Sequence, residues 1–92
     1  MSDISIRRSH HLPPEEIRQK AERVVRNLQE KHGGDYVWQG DKCVDYKYPA
    51  VNARVTFDNE SLTVKVELGL FMKALKTMLE EEITRSLDKH LA

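Results

Sequence analysis

Between Leu62 and Leu68 the apolar residues Leu62, Val64, Val66 and Leu68 alternate with Thr63, Lys65 and Glu67. A period of two puts every second side chain on the same side of an extended chain, so this stretch predicts a strand with one buried face and one wet face. Gly69 ends the alternation. Beyond it Phe71, Leu75, Leu79, Ile83, Leu87 and Leu91 recur every four residues, with Met72 and Met78 beside them, and predict an amphipathic helix. A strand and the helix that covers it are thus written one after the other.

Upstream, Ile4 and Ile6 alternate with Ser5 and Arg7 and predict a short first strand ending near Ser9. Pro13, Pro14, Glu15 and Glu16 then open a helix. Proline suits a first turn because its missing N–H needs no partner there, and the glutamates complement the positive end of the helix dipole. Leu12 is placed to staple onto Ile17. Ile17, Ala21, Val24, Val25 and Leu28 share one face of this helix, while Arg18, Lys20, Arg23, Arg26 and Glu30 share the other. Lys31 and His32 suit its C-terminal end, and Gly33 with Gly34 stops it.

From Asp35 to Leu68, turn residues at Gly40 and Asp41, at Pro49 and Ala50, and at Asp58 to Ser61 divide the chain into four strands. Loops of two and four residues at the last two turns preserve parity. One face then collects Val44, Tyr46, Tyr48, Val51, Ala53, Val55, Phe57, Leu62, Val64, Val66 and Leu68. The first hairpin is open to two registers. A two-residue loop sends Tyr36 and Trp38 to the open face, whereas a bulge or a three-residue loop turns both into the core. The apolar area of the two rings favours burial. The sum is one domain over residues 1–92, an α+β two-layer sandwich of order β-α-β-β-β-β-α. Its antiparallel sheet has about five strands and carries both helices on one face.

Composition narrows the function classes. Fifteen basic and fifteen acidic residues cancel, which removes the strongest composition-level argument for nucleic acid or an anionic membrane as partner, although charge can still be segregated over the surface. Cys43 is the only cysteine, so an internal disulfide and a multi-thiolate zinc site are excluded and a reducing compartment fits. The first nine residues lack an apolar signal region, and the uninterrupted apolar run Leu70 to Met72 is far too short to span a bilayer. A cytoplasmic location is expected.

No constellation specifies a reaction. His10, His11, His32 and His90 show no metal-ligand spacing, so no metal, cofactor or enzymatic activity is expected. Glu80, Glu81 and Glu82 fan around a helix and read as a solvated face, with Lys76–Glu80 and Glu81–Arg85 at ion-pair spacing. Arg7, Arg8, Arg18, Arg23 and Arg26 are concentrated in the N-terminal third, and Arg54 with Lys65 falls on the open sheet face. Joined by an exposed Tyr36 or Trp38, they offer an alternative as a small RNA-binding or ribosome-associated surface, against which the zero net charge argues. The stripe from Phe71 to Leu91 drifts by about 200° around an ideal helix. Either the C-terminal turn wraps over the first helix or frays, or Leu87 and Leu91 are candidates for contact with a partner, a second copy of the chain or an apolar surface.

The opening Ile4-x-Ile6-Arg7-x-x-His10-x-Leu12, the Trp38-x-Gly40-Asp41 turn, the Leu68-Gly69 junction and Lys76-x-x-Leu79-Glu80-x-Glu82-Ile83-x-x-x-Leu87 together resemble the polyhydroxyalkanoic acid system protein family. The resemblance spans nearly the whole chain and is weaker between Cys43 and Ala50. It implies a small bacterial protein encoded near genes for storing polyhydroxyalkanoate, a polyester reserve held in cytoplasmic granules. No activity defines such proteins, so no catalytic residue carries over. Arg7, His10, Lys76, Glu80 and Glu82 match the family's polar positions, either as a binding site or as ion pairs pinning the first strand to the last helix. The expectation is a non-enzymatic accessory protein that binds a granule surface or a granule-associated protein. The candidate binding residues are Leu87, Leu91, Tyr36, Trp38, Arg7, His10 and Lys76.

Overall fold

The computed structural model describes residues 3–49, 51–69 and 74–91, with the side chains of residues 90 and 91 outside the description. Five strands and two helices follow in the order β1 (Ile4–Ser9), α1 (Pro14–His32), β2 (Asp35–Trp38), β3 (Cys43–Tyr48), β4 (Val51–Phe57), β5 (Ser61–Leu68) and α2 (Lys76–Leu91). The strands form one antiparallel sheet of order β1-β5-β4-β3-β2. β2 to β5 are a meander, and β1 pairs with β5, so the first and last strands in sequence lie side by side while β1 and β2 form the two edges. The expected α+β class and element order hold.

Pairing of Tyr48 with Val51 and of Phe57 with Leu62 gives the two-residue and four-residue connections that parity requires. Their helix-side face forms the core, in which Val44, Val55, Leu62 and Val64 have no exposed surface. At the first hairpin the Gln39 N–H donates to the Cys43 carbonyl at 2.8 Å, leaving the three-residue loop Gly40 to Lys42. Gly40, at φ 97°, supplies the left-handed backbone conformation in it. Tyr36 consequently pairs with Tyr46 and Trp38 with Val44, and both rings turn toward the helices.

α1 buries Ile17, Ala21, Val24, Val25 and Leu28 against the sheet. It ends where the Gly33 N–H returns to the Gln29 carbonyl at 2.8 Å. Gly34, at φ 89°, then brings the chain so close to β3 that a Cβ there meets the Lys47 carbonyl at 2.5 Å. Only glycine combines that conformation with that approach.

α2 corrects one expectation. Leu87 is fully buried in the core with Leu79 and Ile83, so it is not a surface for a partner. The drift of about 200° is counted from Phe71, whereas α2 starts at Lys76. Between Leu79 and Leu87 the stripe turns by only about 80°, within the arc one sheet can cover. Phe71 and Met72 lie outside the described residues, as does the side chain of Leu91. No described helix is long and apolar enough to cross a membrane.

Candidate functional site

The sequence candidates scatter over the molecule. Trp38, half-buried at the β2 edge, meets Phe57 edge-on with ring centres 6.2 Å apart, and the Arg18 guanidinium lies 4.2 Å from its ring centre. The Tyr36 hydroxyl donates to Glu22 at 3.5 Å. Tyr36, Trp38, Tyr46, Tyr48 and Phe57 all share the helix-side face through their pairings. These aromatics are therefore not presented on the open sheet, and the RNA platform loses the stacking residues on which it depended.

His10 is buried where β1 ends. Its Nε2 lies 2.7 Å from the Asp58 carbonyl and its Nδ1 accepts the Leu12 N–H at 3.1 Å. The neutral tautomer with the proton on Nε2 satisfies both contacts. Asp58 itself accepts the Glu60 and Ser61 N–H groups, each at 2.8 Å, and these bonds hold its carboxyl below the usual range. His10 thus clips the end of β1 to the β4–β5 turn and is a structural residue.

The expected pinning of the first strand to the last helix exists but uses other residues. Arg8, turned to the helix side, reaches Asp88 on α2 at 3.5 Å. Arg7 points to the open face opposite Thr63 because neighbouring strand residues alternate. Lys76 and Glu80 are exposed and, among the described residues, join no ion pair; nor do Glu81 and Arg85. Glu82 instead meets His32, with Oε2 2.9 Å from Nε2.

Two solvent surfaces remain. On the open sheet, Arg54 holds Asp45 through Nε at 2.8 Å and Nη2 at 3.2 Å, and this hydrogen-bonded pair raises the Arg54 pKa. Lys47, Asn52, Lys65 and Glu67 surround it, so the face is mixed in charge. Burial, reinforced by Asp45, pushes the nearby Cys43 thiol up, which makes it a poor nucleophile at neutral pH.

The second surface is the groove between the helices. Contacts of His32 with Glu82 and of Asn27 with Ser86, the latter at 3.3 Å, show that α1 and α2 run antiparallel. Arg23, Asn27 and Lys31, four residues apart, form one wall. Glu82, Arg85, Ser86 and Lys89 form the other, over a floor of Val24, Leu28 and Ile83. The groove holds about 300 Å³, at the lower end of the range for ligand clefts. Under the same helices, an apolar cavity of about 50 Å³ lies among Leu28, Tyr46, Tyr48, Leu79 and Ile83, with room for little more than a water molecule.

The sequence expectations placed Arg23 in a basic N-terminal cluster and Arg85 opposite Glu81, and did not gather Arg23, Lys31, Arg85 and Lys89 into one site. A usable signal was present, because Arg23, Lys31 and Lys89 have no carboxylate three or four positions away on their own helices. What could not be read is that the two helices put these cations around one groove.

With this geometry in hand, comparison shows that a family model described as "Putative polyhydroxyalkanoic acid system protein" matches residues 4–91. No curated protein matches the chain.

Proposed function

Since this chain belongs to the polyhydroxyalkanoic acid system protein family, we propose that it is a non-enzymatic accessory protein of polyhydroxyalkanoate storage that works by holding a granule-associated protein. The observation that carries this is the open groove between α1 and α2. Its polar groups are four cations, two neutral hydrogen-bonding side chains and one carboxylate already engaged by His32. Such a set holds a partner by charge and hydrogen bonding.

Burial of Leu87 favours a protein partner over the bare polyester. Adsorption to an apolar polymer calls for a contiguous apolar patch. The large apolar side chains exposed among the described residues, Val37 and Met78, stand singly, one on the open sheet and one on α2.

Sedimentation with purified polymer granules tests the proposal. The protein is expected to pellet with native granules at low salt and to be lost when the granules are stripped by protease. Equal binding to stripped granules makes the polymer surface the partner and overturns the protein-partner form. Failure to pellet with either overturns the accessory role.

A further inference from the structure

Among the described residues, the groove gathers four unpaired cations around a single acid, while other unpaired basic side chains, such as Lys65 and Lys76, lie outside it. Arg8, Arg18, Arg26 and Arg54 each hold a carboxylate. Arg23, Lys31, Arg85 and Lys89 hold none among the described residues, yet all four line the same groove. On α1 the positions three and four away from Arg23 are Gln19, Lys20, Arg26 and Asn27; those from Lys31 are Asn27 and Leu28. Lys89 looks back only to Arg85 and Ser86, whereas Arg85 has Glu81 and Glu82 four and three positions before it, neither paired with it among the described residues. Of the groove's own acids there is Glu82, and its carboxylate is turned to His32. In a chain of zero formal charge, four gathered cations make this surface complementary to an anion.

Helix geometry sets the size of that anion. Arg23 and Lys31 are eight residues apart, which spans about 12 Å along α1. The antiparallel arrangement brings Lys89 to the Arg23 end, because His32 meets Glu82 and Asn27 meets Ser86. The anion must also be short. Beside the groove on α2, Glu80, Glu81 and Asp88 line a mostly acidic surface that Arg85 borders, and a long polyanion or a flat anionic membrane lying over the groove meets those carboxylates as well.

We propose that the groove is the docking site for a short acidic segment of a protein partner. Two carboxylates of that segment, about 12 Å apart, reach the two basic ends, and a small apolar side chain sits over Val24, Leu28 and Ile83. The inference rests on the role proposed above and supplies the partner's chemistry.

Fluorescence anisotropy with the full-length protein tests it. The probes are a labelled helical peptide whose paired glutamates lie about 12 Å apart, the same peptide with glutamines, a single-stranded oligonucleotide, and vesicles containing phosphatidylglycerol. At low salt the glutamate peptide is expected to bind at least about tenfold more tightly than the glutamine peptide, and to weaken as salt rises. Arg23→Glu with Lys89→Glu is expected to lose at least about tenfold in affinity, whereas Lys65→Glu on the open sheet leaves it unchanged. Should the double variant not fold, Arg23→Gln and the peptide-induced NMR shifts of the wild-type protein give the same answer; the shifts are expected on residues 23–31 and 82–89. Equal affinity in the groove variants, shifts elsewhere, no binding at low salt, or tighter binding of the oligonucleotide or vesicles overturns the proposal. Granule sedimentation separates the two claims. A groove variant that still pellets with native granules defeats the docking site alone, whereas a wild-type protein that does not pellet defeats the accessory role.

Discussion

His32 Nε2 and Glu82 Oε2 lie 2.9 Å apart and tie the last residue of α1 to α2 at one end of the groove. About a fifth of each side chain is exposed, and the Tyr48 ring stands tilted with its centre 6.3 Å from the imidazole. The contact lies on the helix–helix seam rather than on the sheet. A double-mutant cycle of His32→Ala and Glu82→Ala in urea unfolding is expected to give a coupling of about 0.5–1 kcal/mol, the range for a partly screened pair. A coupling of zero makes the contact incidental to holding the helices together.

Leu87 belongs to the core. Leu87→Ala is expected to cost about 2–5 kcal/mol in chemical denaturation, as lost transfer energy plus an unfilled cavity. The molar mass in solution is expected to stay that of the wild type. Normal stability with an altered mass restores Leu87 as a contact residue.

The Tyr46 hydroxyl, buried below α1, donates to the Gly33 carbonyl and approaches the Leu28 carbonyl at 3.3 Å. Tyr46→Phe removes the donor and leaves carbonyl groups at the helix end short of a partner, an expected cost of about 1–2 kcal/mol in thermal or urea unfolding. Gly34→Ala strikes the same junction by another route, since its Cβ meets the Lys47 carbonyl in a left-handed backbone. It is expected to destabilise at least as much, by about 1–3 kcal/mol. Neutral behaviour of both variants shows that this junction adjusts without cost.

Asp58 carries a pH dependence of known sign. The Glu60 and Ser61 N–H groups hold its folded pKa below the ordinary value of 3.8. A depressed folded pKa gives stability that is present above the unfolded value and is lost as pH falls through the folded one. Asp58→Ala is therefore expected to lower stability at neutral pH and to flatten the acid-side loss below about pH 4. Identical acid limbs for variant and wild type defeat this assignment.

Local periodicity made most of the fold legible. The alternation from Val44 to Leu68 defined the buried face and its register, because a slip of one residue exposes every apolar side chain at once. Tyr36 and Trp38 were harder, since a two-residue and a three-residue loop are both good chemistry at Gly40. The choice was made on the helix side, where Trp38 packs on Phe57 under Arg18 and the Tyr36 hydroxyl reaches Glu22. The polar positions were least legible. Arg7 and Arg8 are adjacent in sequence, and only the strand's facing decides that Arg8 meets Asp88.

The sequence by itself determined the element order, the core face of the sheet, the start and stop of α1 and the resemblance to a storage-system family, since each rests on contacts between near neighbours or on a strict period. Only the tertiary structure decided that Leu87 is buried, that His10 is a clip, and that Arg23, Lys31, Arg85 and Lys89 share a groove. These depend on where α2 begins and on which helix faces meet, relationships between distant segments that no local pattern contains.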